Sequence, residues 1–211
     1  MAAAYTGKIQ LTKDTFFEIG KVNVQPQPFG AYIGITKNIG DINKVLEDNG
    51  SDLIKTPEGL RSMNILVVDP GEYTLDWLYM KAGAPVMRAS NAIGDAGRHR
   101  VVREVHKMIQ DKLGRPLGTS FYADIDYAMR TGKKFKAGGD AFNLQDQEFL
   151  DCVKRSIDDP VRQLFEGLRG SEERIDLVVV VGGSPGDVAA AIKRAKPWIP
   201  VYCGSSGQGN N

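Results

Sequence analysis

The feature that limits the fold most is an apolar run, Leu177-Val178-Val179-Val180-Val181, that ends in Gly182-Gly183-Ser184-Pro185-Gly186. β-Branched residues without alternation belong in a strand buried on both faces. The glycines and proline make a tight turn, residues 187–196 carry a helical pattern, and residues 198–203 read as another strand. Strand, crossover helix and strand in that order imply parallel pairing and a layered α/β domain.

A second strand group lies earlier. Residues 64–69 are a continuously apolar strand ending in Asp69, Pro70-Gly71-Glu72 is a turn, and residues 74–80 alternate as its partner. Residues 85–89 read as a third strand of an antiparallel ribbon. Upstream, residues 16–24 show loose alternation, residues 29–35 are ambiguous between strand and helix, and residues 37–63 read as a helical turn and loop. Val101, Val102, Val105, Met108, Ile109 and Leu113 mark a helix with Asp95 near its start as cap and Gly114 at its stop. A second long helix spans residues 147–168, with Pro160 expected to kink or divide it. Between the two helices, residues 115–147 form a mixed, glycine-rich insertion. Hairpins, then helices, then β-α-β predict a mixed sheet with helices on both faces, the ribonuclease H-like class of α/β domain.

Composition removes several functions. With 27 Lys+Arg against 26 Asp+Glu, the chain has no general attraction for nucleic acid or anionic membrane. No apolar run approaches the ~20 residues of a membrane-spanning helix. Cys152 and Cys203 form no metal-ligand cluster and fit a reducing, cytoplasmic compartment. The two histidines, His99 and His106, lie about 10 Å apart along one helix, which argues against zinc chemistry and a Ser-His-Asp hydrolase.

Three motifs can carry chemistry. In Asp69-Pro70-Gly71-Glu72-Tyr73-Thr74-Leu75-Asp76, a carboxylate at a strand end meets a glycine hairpin whose amides can face an anion. Asp69 could hold Mg²⁺ directly or through water. An ordinary hairpin explains the same residues, and Asp48-Asn49-Gly50 and Asp95-Ala96-Gly97 share the Asp-x-Gly pattern without strands on both sides. In Gly182-Gly183-Ser184, a buried strand leads through glycines into a helix N-terminus, which favours phosphate or the polar edge of a nucleotide, although tight β-α turns also need glycine for conformation alone. Neither the common dinucleotide fingerprint nor the P-loop pattern is present. In Val24-Gln25-Pro26-Gln27-Pro28, a glutamine at a strand end could orient a water for attack on a terminal phosphate, where the plain reading is a capped turn. Lys133-Lys134-Phe135-Lys136 and the group Arg98, His99, Arg100 and Arg103 are weaker signals that a solvated surface explains.

The order of these motifs resembles the second half (domain II) of actin-like ATPases of the plasmid-segregation type, the ParM/StbA and PRTRC protein D group. The resemblance spans residues 16–203, with residues 1–15 as an extension and 204–211 as a tail, and Ile125-Asp126-Tyr127-Ala128-Met129-Arg130-Thr131-Gly132-Lys133 also looks like the family. It implies ATP or ADP with Mg²⁺ as cofactors. Asp69 would be the acidic residue near metal and water, and Gln27 the water-orienting residue. Gly71 and Thr74 would lie in the phosphate hairpin, Gly97 would be a further cofactor-binding residue, and Gly182, Gly183 and Ser184 would flank the adenosine. The family usually has glycine where Ser184 stands. Nothing before residue 16 resembles the first phosphate loop, so the expectation is the nucleotide-binding half of a filament-forming ATPase, hydrolysing ATP poorly or not at all alone. Its expected partners are other copies of itself, the missing N-terminal domain and a DNA-adaptor protein, with no membrane. Two alternatives stay open: an interaction module that kept the fold without nucleotide, and half of a sugar- or acetate-kinase-like enzyme.

Overall fold

The computed structural model describes residues 6–22, 24–168, 170, 174–183 and 185–204. Its centre is the strand Asn64–Pro70 (β3). β3 pairs antiparallel with Thr74–Lys81 (β4), from Asn64 opposite Lys81 to Pro70 opposite Leu75. On its other side it pairs parallel with Leu177–Val180 (β9), which pairs parallel with Val201–Cys203 (β10). The far edge of β4 carries the two-residue strand Ala84–Pro85 (β5) and then Asn91–Gly94 (β6). An antiparallel meander followed by two parallel strands, in the order β10-β9-β3-β4 with β5 and β6 on β4, is the predicted ribonuclease H-like sheet.

The unbroken apolar runs follow from coverage on both faces. Ile65 and Val67 of β3, Leu78 and Met80 of β4, and Leu177 and Val179 of β9 point to one side. There they meet the helices Gln27–Gly34 (α1), Ile39–Asp48 (α2) and Pro57–Ser62 (α3) through Tyr32, Ile42, Leu46 and Leu60. The alternate residues Leu66, Val68, Leu75, Trp77, Val178 and Val180 face Arg98–Leu113 (α4), Gln147–Leu168 (α6) and Pro185–Ala195 (α7). Each Leu or Val buried this way contributes about 1.5–3 kcal/mol before conformational entropy is subtracted. The outer face of α4 (Val102, Val105, Ile109) covers a third cluster built from Tyr122–Thr131 (α5), Phe135–Ala137 (β7), Asp140–Phe142 (β8) and Phe149.

Several local expectations are corrected. The strand at 16–24 shortens to Phe16–Ile19 (β2), which pairs only with Gly7–Gln10 (β1), inside the stretch set aside as an extension. The strand expected at 85–89 shrinks to β5 at Ala84–Pro85, a 3₁₀ turn spans Met87–Ala89, and most of the far edge of β4 is paired by β6. Residues 37–63 hold two helices. Gln27 opens α1 instead of ending a strand, since proline in the first turn suits a helix start. Helix α6 runs unbroken through Pro160. The cap of α4 is Gly97, and Asp95 lies two residues outside with a left-handed backbone (φ +53°).

Candidate functional site

The site forms where β3 and β9 end. Parallel pairing puts Val68 beside Val180, and the Val181 amide still donates to the Val68 carbonyl (2.9 Å). β9 then leaves the sheet, and β3 follows at Pro70 from the same end, where ligands of open α/β sheets bind. Gly182 turns with φ +98°, and a Cβ there would lie 2.5 Å from Asp69 Oδ1 and 2.9 Å from the Pro70 carbonyl oxygen. Side chains other than hydrogen are excluded twice, by the backbone and by the contact. Residues separated by more than a hundred positions therefore touch at one corner.

Asp69 is buried, and its register partner across the ladder is Asp76. Burial pushes its carboxyl above the usual carboxylate range, the Asp76 charge pushes the same way, and the polar Gln27 side chain nearby pulls against both. The Asp76 carboxylate accepts from the Thr74 hydroxyl (2.6 Å). Asp69 and Asp76 share strand parity with Val67 and Leu78, so this polar cluster lies on the α1 side, and the start of α1 brings Gln27 to it.

The other side of the hairpin carries a cavity of about 330 Å³ lined by Pro70, Gly71, Glu72, Arg98, Asp126, Arg130 and Gly183. A neighbouring cavity of about 340 Å³ shares Arg98, Arg130 and Gly183 and adds the apolar walls Met129, Leu144, Leu150 and Val153, with Gly186 and Asp187 at the α7 N-terminus. Of the sequence-derived candidates, Gly71 and Gly183 line the first cavity. Gln27, Asp69 and Thr74 gather on the far side, and Gly182 stands between. Gly97 packs beneath the hairpin, where a Cβ would meet the Gly71 carbonyl oxygen at 2.5 Å. Ser184 lies outside the described residues.

The hairpin uses some of its own donors. The Gly71 amide donates to the Thr74 carbonyl (2.9 Å), which leaves the tip amides of Glu72 and Tyr73 without an intramolecular acceptor among the described residues. The cavity also carries a charged group. Arg98 Nε donates to Asp126 Oδ1 (2.7 Å) and its guanidinium stands 3.9 Å from Asp187, while Arg130 pairs with the second Asp126 oxygen (2.6 Å). Asp126 and Arg130, spaced i,i+4 in the string at 125–133, were a visible helical pair. That Arg98 would complete the group depends on how α5 docks against α4.

The sheet order, with an acidic glycine hairpin at the end of the central strand and a glycine corner at the end of its parallel neighbour, is that of an actin-like fold of the ribonuclease H-like class. Among solved structures, the chain is similar to the archaeal actin homolog Ta0583 (TM-score 0.59, 14% identity, over 90% of this chain and 52% of that one). It is also similar to ParM of a 15-stranded filament from Clostridium botulinum (TM-score 0.60, 17% identity, 93% and 53%) and to a non-polymerisable quadruple mutant of pCBH ParM (TM-score 0.58, 17% identity, 92% and 54%). The chain spans about half the length of these structures. No protein-family model and no curated protein matches it.

Proposed function

We propose that this chain is the nucleotide-binding half of an actin-like, filament-forming ATPase of the plasmid- or DNA-segregation type, acting on ATP or ADP with Mg²⁺ in the cytoplasm. The observation that carries the reading is the contact of Gly182 with Asp69 and Pro70, which joins the acidic hairpin and the glycine corner into one mouth. The named neighbours support it: a structure of Ta0583 contains ADP, and the Clostridium botulinum ParM was solved as a filament.

In this reading the Glu72 and Tyr73 amides and the α7 N-terminus meet phosphate oxygens, and Arg98 and Arg130 offset their charge. The adenosine would lie by Gly182, Gly183 and Ser184 against the apolar wall. Among the described residues no group of three or more His, Cys, Asp or Glu is arranged to hold a metal. Mg²⁺ ordinarily takes only one or two carboxylates and completes its shell with phosphates and water, and Asp69, an oxygen donor beside a second carboxylate, fits that demand. Bound there, the ion would supply neutralisation of phosphate charge. Gln27, near Asp69 at the start of α1, would hold a water near the same point. A second actin-like domain would complete the phosphate cradle, and other copies of the chain and a DNA adaptor would be its partners.

A second reading, an interaction module that keeps the fold without nucleotide, draws on one observation: the Gly71 amide and the first amides of α4 are occupied by the hairpin's own carbonyls. Calorimetric titration with ADP, with and without Mg²⁺, separates the two. Binding that needs Mg²⁺ and weakens at least tenfold in Asp69→Ala is the expected result. Absence of binding in both conditions favours the module. Phosphate release from ATP by the chain alone should stay far below the ordinary enzyme median of ~10 s⁻¹.

A further inference from the structure

The hairpin that would face the phosphates is held from beneath by one short loop. Amides of Ala96 and Gly97 donate to the Tyr73 carbonyl (3.1 and 3.3 Å), Arg98 to Gly71 (3.1 Å) and His99 to Glu72 (2.7 Å). The Tyr73 and His99 rings also meet, with centroids 5.0 Å apart. Gly97 permits this approach, because a Cβ would overlap the Gly71 and Glu72 carbonyls at 2.5–2.6 Å. The loop itself begins at Asp95, directly after Gly94, the register partner of Thr74.

Asp95 adopts φ +53°, a left-handed conformation that is unfavourable for a residue with a side chain, although Asp and Asn tolerate it best. Conformations of this kind persist where surroundings over-determine them. Arg103, anchored in the second turn of α4, forks its guanidinium onto both Asp95 oxygens (2.7 and 2.8 Å). The carboxyl is held below its usual range chiefly by this hydrogen-bonded pair, with Arg100 and His99 adding to it.

We propose that Asp95 and Arg103 are positioning residues for the 70–74 hairpin. Their pair fixes the left-handed turn that aims four consecutive amides at the hairpin carbonyls, and so sets where the Glu72 and Tyr73 amides point. Neither residue lines the cavities beside the hairpin. The consequence for nucleotide rests on the function proposed above, whereas the mechanical coupling does not.

The test uses the full chain and three variants, Arg103→Gln, Asp95→Ala and Asp95→Gly, read by hydrogen exchange at individual amides and by Mg²⁺·ADP affinity. Arg103→Gln should speed exchange at residues 98 and 99 by roughly tenfold while β3 and β9 keep their protection. Affinity should fall by about fivefold. Asp95→Ala should weaken affinity and protection more than Asp95→Gly, since glycine takes the left-handed turn without strain. Unchanged exchange at 98 and 99 in Arg103→Gln would overturn the proposal, as would equal effects of alanine and glycine at 95. A uniform loss of protection through the sheet would also overturn it, by reducing the pair to general stability. If the unmodified chain binds no Mg²⁺·ADP, the nucleotide reading fails, and the exchange series still decides the positioning role.

Discussion

The antiparallel hairpins β3–β4 and β1–β2 both have apolar alternate residues, and they end in opposite circumstances. In β3–β4, both faces are covered by helices, and Leu66, Val68, Leu78 and Met80 are sealed from solvent. In β1–β2, Ile9 sits opposite Phe17 and shares a face with Leu11 and Ile19, yet Ile9 is 52% and Phe17 55% exposed. The opposite face carries the loose Lys8–Glu18 pair (3.8 Å), which in solvent contributes little. A lone two-stranded hairpin is marginal in water. The difference teaches that alternation specifies a strand's faces but not what covers them, and that stability and site geometry reside where coverage is double.

The sharpest way to break this contrast is at the corner where the buried hairpin meets β9. Gly182→Val places branched carbons within the Asp69 carboxylate and imposes a left-handed backbone on a residue that resists it. A loss of about 3 kcal/mol or more is expected from urea denaturation at unchanged slope. An unchanged midpoint would mean that the strand ends do not meet tightly.

A smaller change, opposite in sign, is expected at Asp69. Burial and Asp76 raise its carboxyl above the unfolded value, so the folded state holds the proton more firmly. Its ionisation is therefore a penalty, absent in acid and growing as pH rises from the ordinary carboxylate range through the raised folded value. Asp69→Asn should melt higher than the parent chain at pH 7, with the two midpoints converging as pH falls. A lower midpoint at neutral pH would show that the ionised carboxylate stabilises the fold. Loss of Mg²⁺-dependent ADP binding in the same variant would link the penalty to function.

Legibility in the sequence follows the same division. Strands β3, β4 and β9 and helices α4 and α6 were readable because their residues obey one period over a long stretch, and helix ends carry punctuation such as Gly114, left-handed at φ +62°. β6 was not readable. Asn91-Ala92-Ile93-Gly94 has little strand character, and its pairing is set by the waiting edge of β4. Val86 still donates its amide to the Tyr79 carbonyl of β4 (2.8 Å), but the chain turns at Met87 into a 3₁₀ helix instead of continuing as a strand. Pro160 does not divide α6, because the helix tolerates the lost bond to the Ser156 carbonyl while Ile157, Val161 and Leu164 hold it against the sheet. At the site, that Asp69 and Gly182 would face one cleft was legible only through the family resemblance, since no local pattern pairs β3 with β9. The underside was hidden: Gly97 beneath Gly71, Asp95 joined to Arg103, and Arg98 joined to Asp126 depend on docking between separate elements, which no local pattern encodes.

The smallest expected effect lies in the exposed hairpin and sharpens the comparison from its other side. Phe17→Ser removes a large ring that is over half exposed and lies in none of the three cores. Unfolding of the chain, followed through the buried indole of Trp77, should shift by no more than about 0.5 kcal/mol, the ordinary range for surface substitutions. Exchange at the amides of β1 and β2 should already be fast in the unmodified chain, because four register pairs with uncovered faces give local opening a low cost. A shift above 1 kcal/mol would place Phe17 in a packed environment, and the two hairpins would then differ in degree and not in kind. A shift that appears only as protein concentration rises would identify a second copy of the chain as what covers the apolar face, since association makes stability concentration-dependent.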